Sequence, residues 1–383
     1  MDRRHATGHE RLLTQPSHPN PPLAPWQRLP RRTLAIALSI LPLMALANVG
    51  VLVWSLDGIN LADRIAVPGF LVLAVVTAFL PMVANSLRLA LWGRFLGVGL
   101  GFRGGLKVVT GTIVANSITP SAAGGVPLKL LFLMGEGVSS RKAATLISLQ
   151  AAEDAVVLGA LVSLCVAFSG FQLMDFIAGQ PGLIARIEGD LALFGWIALG
   201  AACVLAAVII AIVSGAAGAG LQARAAQIGA RMRSFAAHML HDWLRVLRRG
   251  KGVALVNLLL ALVQWLARFS LAGVVLAGFG QDWHPALYWL LQYVVQSISS
   301  VVPTPGGAGG SEAAFLLMFA PFVASGALVP AMSAWRLIFF YLPLTGAAVL
   351  FFLLHRAGGR AAARQHTPSA HDSVIAGQTQ PAE

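Results

Sequence analysis

The sequence predicts an all-α, polytopic helical membrane protein, and three observations carry that prediction. Of its 383 residues, 57% are hydrophobic and only 11% are charged, whereas a soluble domain carries about 25% charged residues. The apolar residues gather in runs of about 20 or more, the length a helix needs to cross the hydrocarbon core. The charges between those runs alternate in sign from loop to loop, as the positive-inside rule requires of a multi-spanning chain.

Residues 1–32 are polar and rich in proline and histidine, with Arg3, Arg4, Arg11, Arg28, Arg31 and Arg32, and read as a disordered basic arm. The run that follows is too long for the apolar core of a cleavable signal peptide. About eight spans are expected, over 33–56, 67–92, 143–169, 191–213, 253–279, 286–302, 311–329 and 333–354. A shorter apolar pair, 107–119 and 126–135, cannot cross alone and is expected to dip in and return. Residues 33–355 thus form one transmembrane domain, and 356–383 a disordered tail.

Loop charges set the orientation. Arg94, Arg103, Lys107, Arg141 and Lys142, the basic residues of 214–252, and Arg356, Arg360 and Arg364 fall on one side. Asp57, Asp63, Asp175, Glu188, Asp190 and Asp282 fall on the other, with only Arg64 and Arg186 among them. The first side is therefore read as cytoplasmic, with both termini there and the chain in a bacterial inner membrane. The net charge of +12 is then a loop property, and no nucleic-acid partner is implied.

Leu221 to Arg249 has Ile228, Met232, Phe235 and Met239 at helical spacing among arginines. That pattern suits a helix lying on the anionic leaflet or a loop that merely obeys the charge rule. His238 and His241 lack a third ligand, so no metal is expected. Cys165 and Cys203 sit in apolar runs and read as packing residues. No cofactor is implied.

The most informative feature is a repeated heptapeptide. Thr119–Gly125 and Thr304–Gly310 both read T-P-x-x-A-G-G, each between two apolar segments. Proline lacks the N–H a helix needs, and glycine accepts φ > 0, so each copy should break a helix. Paired breaks in corresponding halves mark the substrate site of many transporters, usually at an inverted repeat. Here the first copy is entered from the cytoplasm and the second from outside, with the tips meeting near the midplane. Two ordinary interfacial turns would leave the same pattern without a site.

Ionisable residues lie close by: Lys129, Glu153, Asp154, Arg268, Glu312 and Arg336. Each intramembrane charge costs about 2.5–3.5 kcal/mol on insertion scales, so function is the default reading. Against it, Lys129 and Arg336 could snorkel, Glu153 and Asp154 could pair with Arg268, and Arg88 lies near a boundary where snorkelling is expected. The N–H groups at Gly310-Ser311 could face an anion, for which a lipid phosphate is the natural candidate.

Asn116 through Lys129, then Asp154, then Pro303-Thr304-Pro305-Gly306-Gly307-x-Gly309 with Glu312, then Trp335-Arg336 and Tyr341–Gly346, resemble the membrane domain of bacterial lysylphosphatidylglycerol synthases. That domain defines a flippase-like family with free-standing members linked to lipid, polyprenyl-glycan or hopanoid transport. In this sequence Lys129 stands where an arginine is usual, and Gln150-Ala151 where a Glu-Arg pair is usual. Glu153 is a candidate replacement for the lost acid. The soluble aminoacyl-transferring domain is not expected in the 28 or so residues after 355, so the resemblance implies transport and not lipid synthesis.

The expected function is therefore a flippase or transporter of a phospholipid, polyprenyl-linked or hopanoid-type lipid, and no enzyme. Its substrate cleft would comprise Asn116, Pro120, Gly124, Gly125, Lys129, Asp154, Pro303, Pro305, Gly306, Gly307, Gly309, Glu312 and Arg336. Lys129 and Arg336 would hold an anionic headgroup, with Glu312 and Asp154 balancing charge or carrying protons. The alternatives are a non-transporting partner of a lipid-biosynthesis enzyme and an intramembrane phosphatase or transferase.

Overall fold

A computed structural model describes residues 66–119, 125–169, 219–302 and 304–365, with a few isolated positions elsewhere. The predicted arm, the spans at 33–56 and 191–213, Cys203, and the site candidates Pro120, Gly124 and Pro303 lie outside the described residues. All regular structure among the described residues is helical: α1 (Pro68–Phe95), α2 (Phe102–Ile118), α3 (Gly125–Gly135), α4 (Ser140–Phe168), α5 (Ala219–Arg249), α6 (Lys251–Gly278), α7 (Pro285–Val301), α8 (Gly310–Phe319), α9 (Ser325–Arg336) and α10 (Leu342–Gln365).

Among the described residues, four helical stretches are long and apolar enough to cross a membrane: α1, α4, α6, and the continuous run Ser325–Arg356 formed by α9, a π turn and α10. The protein is an all-α polytopic membrane protein.

Helices α1 and α6 lie antiparallel side by side. The Val67 N–H donates to the Gly278 carbonyl at 3.2 Å at one end. At the other, the Phe95 ring crowds Gly250 and takes the Arg245 guanidinium over its face at 5.6 Å. That second end collects Arg94, Lys142, Arg245, Arg248, Arg249 and Lys251 and is the basic end.

The first short apolar pair is a hairpin from the basic end. Lys107 near the start of α2 pairs with Glu136 just after α3 at 2.9 Å, so the chain enters and leaves on one side. Close packing carries this arrangement, since lipid is as apolar as the side chains and burial alone does not join helices in a bilayer. A Cβ at Gly105 would lie 2.7 Å from the Ser86 carbonyl, which is how near α2 comes to α1.

The expected spans 286–302 and 311–329 are corrected by the structure. They are the two arms of a second hairpin, α7 and α8, entering from the opposite end. Gln281, before α7, accepts the Ala324 N–H, after α8, at 3.0 Å. Tyr288 reaches the Phe322 carbonyl across the same end at 3.4 Å. The last span begins at Ser325, and its helix continues to Gln365, so the start of the expected disordered tail is helical. Hydropathy measures apolarity and not direction, so a folded-back pair scores like two crossings.

Each hairpin packs its own core. Trp92, Leu89, Val108, Val109, Leu133 and Leu146 surround the first. Phe269, Tyr288, Trp289, Phe315, Phe319 and Trp335 surround the second, with Phe315 and Phe319 stacked at 4.3 Å between ring centres. Cys165 lies buried beside Val157 and Leu161 in the second core. The basic helix α5 docks its C-terminal half on α4: Lys142 pairs with Asp242 at 2.8 Å, and Trp243 donates to Ser148 at 3.1 Å.

Candidate functional site

The sequence Leu342-Pro343 shapes the site before any ligand is considered. Pro343 has no N–H for the Phe339 carbonyl, and the helix answers with a π turn over Leu337–Tyr341, in which the Leu342 N–H reaches back to the Leu337 carbonyl. This widened turn aims Arg336, Phe339 and Phe340 inward. They meet the tip of the second hairpin, where Gly306, Gly307 and Gly309 all have positive φ (63°, 67° and 80°). The glycines are also spatially required, since a side chain at Gly306 would strike the Phe340 ring and one at Gly307 would strike Ser299.

The tip satisfies itself. The Thr304 hydroxyl donates to the Ala308 carbonyl at 2.9 Å, and the Gly307 N–H to the Thr304 carbonyl at 3.0 Å. The Gly309 N–H and the Ser311 hydroxyl both donate to Glu312 Oε2 at 2.8 Å. The Ser311 N–H donates to the Gly307 carbonyl at 2.9 Å. The helix start expected to face an external anion is therefore closed by its own carboxylate. Arg336, only 2% exposed, sits 2.8 Å from Glu312 Oε1 through Nε. That N–H is not aligned for a hydrogen bond, so the contact is ionic. Arg336 also donates through Nη2 to the Gly306 carbonyl at 2.8 Å and stacks over Phe340 at 4.3 Å. It is a buried brace and does not snorkel.

The C-terminal end of α2 faces the same space. Asn116 and Ser117 from α2, Gly306 and Gly307, Arg336, and Arg268 from α6 line one cavity of about 210 Å³. Thr77 and Pro81 from α1 close its wall, with Gln296, Ser299 and Ser300 from α7 and Phe339 and Phe340 beyond the π turn. Asn116 Oδ1 is buried with no hydrogen-bond partner among the described residues. Gly125 returns close beneath it, where a Cβ would lie 2.6 Å from that oxygen. Pro81 cannot donate to the Thr77 carbonyl one turn back, which leaves a second acceptor at the cavity wall.

One to two turns further along α1 and α6 lies a separate polar cluster. Arg88 is 0% exposed. Its guanidinium donates to Glu153 at 2.8 and 3.3 Å, to Asp154 at 2.7 Å, to Gln264 at 3.0 Å and to the Gln150 carbonyl at 3.1 Å. The Trp92 and Trp265 indoles donate to Glu153 at 2.8 Å and Asp154 at 2.9 Å. Lys129 donates to Gln150 Oε1 at 2.7 Å, and Gln150 donates in turn to Asn85 at 3.1 Å. Both expectations for these charges are corrected: Glu153 and Asp154 pair with Arg88 and not Arg268, and Arg88 is buried between helices instead of snorkelling.

Of the expected site residues, Asn116, Gly306, Gly307 and Arg336 therefore line the cavity. Gly125 packs behind Asn116. Pro305, Gly309 and Glu312 support the second tip. Lys129 and Asp154 belong to the polar cluster instead. Arg88, Gln264 and Trp265 were not among the expected site residues, nor was Arg268 of the cavity. Gln264 and Arg268, four residues apart in an apolar helix, were the available signal for a polar face on α6.

The sequence pattern of the lysylphosphatidylglycerol synthase TM region matches residues 33–347. The chain belongs to that family. The chain is also similar to a protein described as a UPF0104 membrane protein of Archaeoglobus fulgidus, 23% identical over 275 residues, covering 70% of this chain and 83% of that protein. The lysylphosphatidylglycerol synthase TM region thus includes both hairpins, the cavity and the Arg88 cluster of this chain. The Gln150 at which the resemblance departs from the usual acid is the partner that Lys129 uses here.

Proposed function

We propose that this protein is a lipid flippase or transporter of the bacterial inner membrane, acting on a phospholipid, polyprenyl-linked or hopanoid-type lipid. One observation carries the reading: two hairpins that enter from opposite ends bring the end of α2 and the Gly306-Gly307 turn to one cavity walled by Arg268 and Arg336. Irregular backbone at membrane depth is tolerated where it lines such a cavity, and a site between inverted elements can be opened to either side by rocking one against the other. At about 210 Å³ the cavity is smaller than the roughly 300–1,000 Å³ of a typical ligand pocket. That size suits a headgroup whose chains stay in the bilayer. Two hydroxyls on its wall favour transport over chemistry: Ser117 and Ser300 donate to carbonyls of their own helix at 2.9 and 2.7 Å, as packing groups do.

By the positive-inside rule the basic end lies in the cytoplasm. A cysteine at Ser325 is then labelled by an impermeant maleimide from the periplasm, and one at Arg141 only after the cytoplasmic side is opened. Labelling of Ser325→Cys from the cytoplasm alone would reverse the orientation and remove the inverted arrangement's sidedness.

Lipid co-purification tests the site. One lipid enriched over bulk in mild detergent, and lost in Glu312→Ala, is the expected result, with transbilayer movement of that lipid in proteoliposomes. Lys129→Ala is expected to lower stability more than binding, because Lys129 serves the polar cluster. Bulk lipid alone, with no movement in proteoliposomes, would leave a non-transporting partner of a lipid-modifying enzyme as the better reading.

A further inference from the structure

The charges at membrane depth can be counted among the described residues. The polar cluster is neutral as a whole: Arg88 pairs with both Glu153 and Asp154, while Lys129 donates to the Gln150 amide beside them. Arg336 is matched by Glu312. Arg268 is left over. Its guanidinium faces the cavity, makes no hydrogen bond or ion pair with any described residue, and has only the Phe339 ring beneath it at 5.0 Å. Its backbone carbonyl is occupied by Gln292 at 2.8 Å, which holds the α6 backbone at this point against α7. The described residues lining the cavity include no carboxylate.

A lone positive charge at this depth is costly unless something neutralises it. We propose that Arg268 is the anion-binding residue of the cavity, and that it takes a phosphodiester headgroup with a single negative charge, free hydroxyls and no amine. This rests on reading the cavity as a lipid site, and it deepens that reading by naming the headgroup class. A guanidinium presents a planar fork that fits two phosphate oxygens. One uncompensated charge calls for one negative charge. An ammonium group on the same headgroup would find no carboxylate on the wall. Hydroxyls, by contrast, find an acceptor in the Thr77 carbonyl, which Pro81 leaves without its helical partner. Aminoacylated or zwitterionic headgroups are therefore poor occupants, and a phosphatidylglycerol-like headgroup is a good one.

The test measures binding to the purified full-length protein in detergent by native mass spectrometry. The probes are phosphatidylglycerol, phosphatidylethanolamine, glycerol phosphate and inorganic phosphate. Wild type, Arg268→Gln and Arg268→Lys are compared, with thermal melting as a check on folding. Phosphatidylglycerol is expected to bind about tenfold to a hundredfold more tightly to wild type than to Arg268→Gln. Arg268→Lys keeps the charge and should retain part of that affinity, so a loss in Arg268→Gln alone with unchanged melting supports the assignment. Equal binding of phosphatidylglycerol and phosphatidylethanolamine to wild type overturns the charge rule while leaving transport intact. Undiminished phosphatidylglycerol binding by Arg268→Gln overturns the residue assignment. Displacement of phosphatidylglycerol by either soluble phosphate at similar concentration overturns the lipid origin of the anion. Absence of any lipid above bulk in wild type removes the transport reading and this inference together.

Discussion

Replacing Arg88 by methionine is expected to destabilise the protein by about 3–5 kcal/mol, the cost of leaving a buried ion pair with one partner. Here the cost is sharpened because two carboxylates, Glu153 and Asp154, depend on the same guanidinium. The Gln264 side chain and the Gln150 carbonyl would also lose a donor. Melting in detergent should fall by several degrees, and the yield of monodisperse protein should drop. The diagnostic comparison is the triple variant Arg88→Met, Glu153→Gln, Asp154→Asn. Removing all the charge together should recover part of the loss, because residues in one network are not additive. A triple variant no more stable than Arg88→Met alone would mean that the cluster is not held by charge pairing. The same outcome would weaken the view that α1, α4 and α6 are locked together at this point.

The second large effect is expected at Gly306. Alanine there must adopt φ near 63° and must also displace the Phe340 ring. The backbone strain costs about 1–3 kcal/mol and the overpacking a similar amount. Because Arg336 holds the Gly306 carbonyl at 2.8 Å, a displaced tip also frees the brace between the last span and the second hairpin. Lipid movement in proteoliposomes should therefore fall together with melting temperature. Gly309→Ala is the control, since φ is positive there too but no atom lies within 4 Å of an added Cβ. It should show the backbone cost without the steric one. Gly306→Ala combined with Phe340→Leu should recover the steric part only. If Gly306→Ala and Gly309→Ala behaved alike, the Phe340 contact would carry no weight.

Much of the candidate site was legible in the sequence, and the reasons are local. The repeated T-P-x-x-A-G-G turn announced two helix breaks because proline and glycine act on their own backbone. In the second copy the glycines have the expected positive φ and sit at a cavity. The partner of each charge was not legible. Glu153 lies 65 residues from Arg88, and nothing in their spacing marks them as neighbours. Arg336 at the end of α9 read equally well as a snorkelling residue until the π turn, set by Pro343, turned it inward.

By itself, the sequence determined the all-α membrane class, the positions of the long spans among the described residues, and the two helix-breaking turns. Those follow from composition, run length and backbone chemistry, which act within a few residues. Only the tertiary structure decided that residues 285–319 fold back instead of crossing twice, that Arg88 takes both acids, and that Arg268 is left facing the cavity. These depend on which helices approach each other. In a bilayer that choice is made by close packing and by the matching of buried charges, neither of which is written along a single helix.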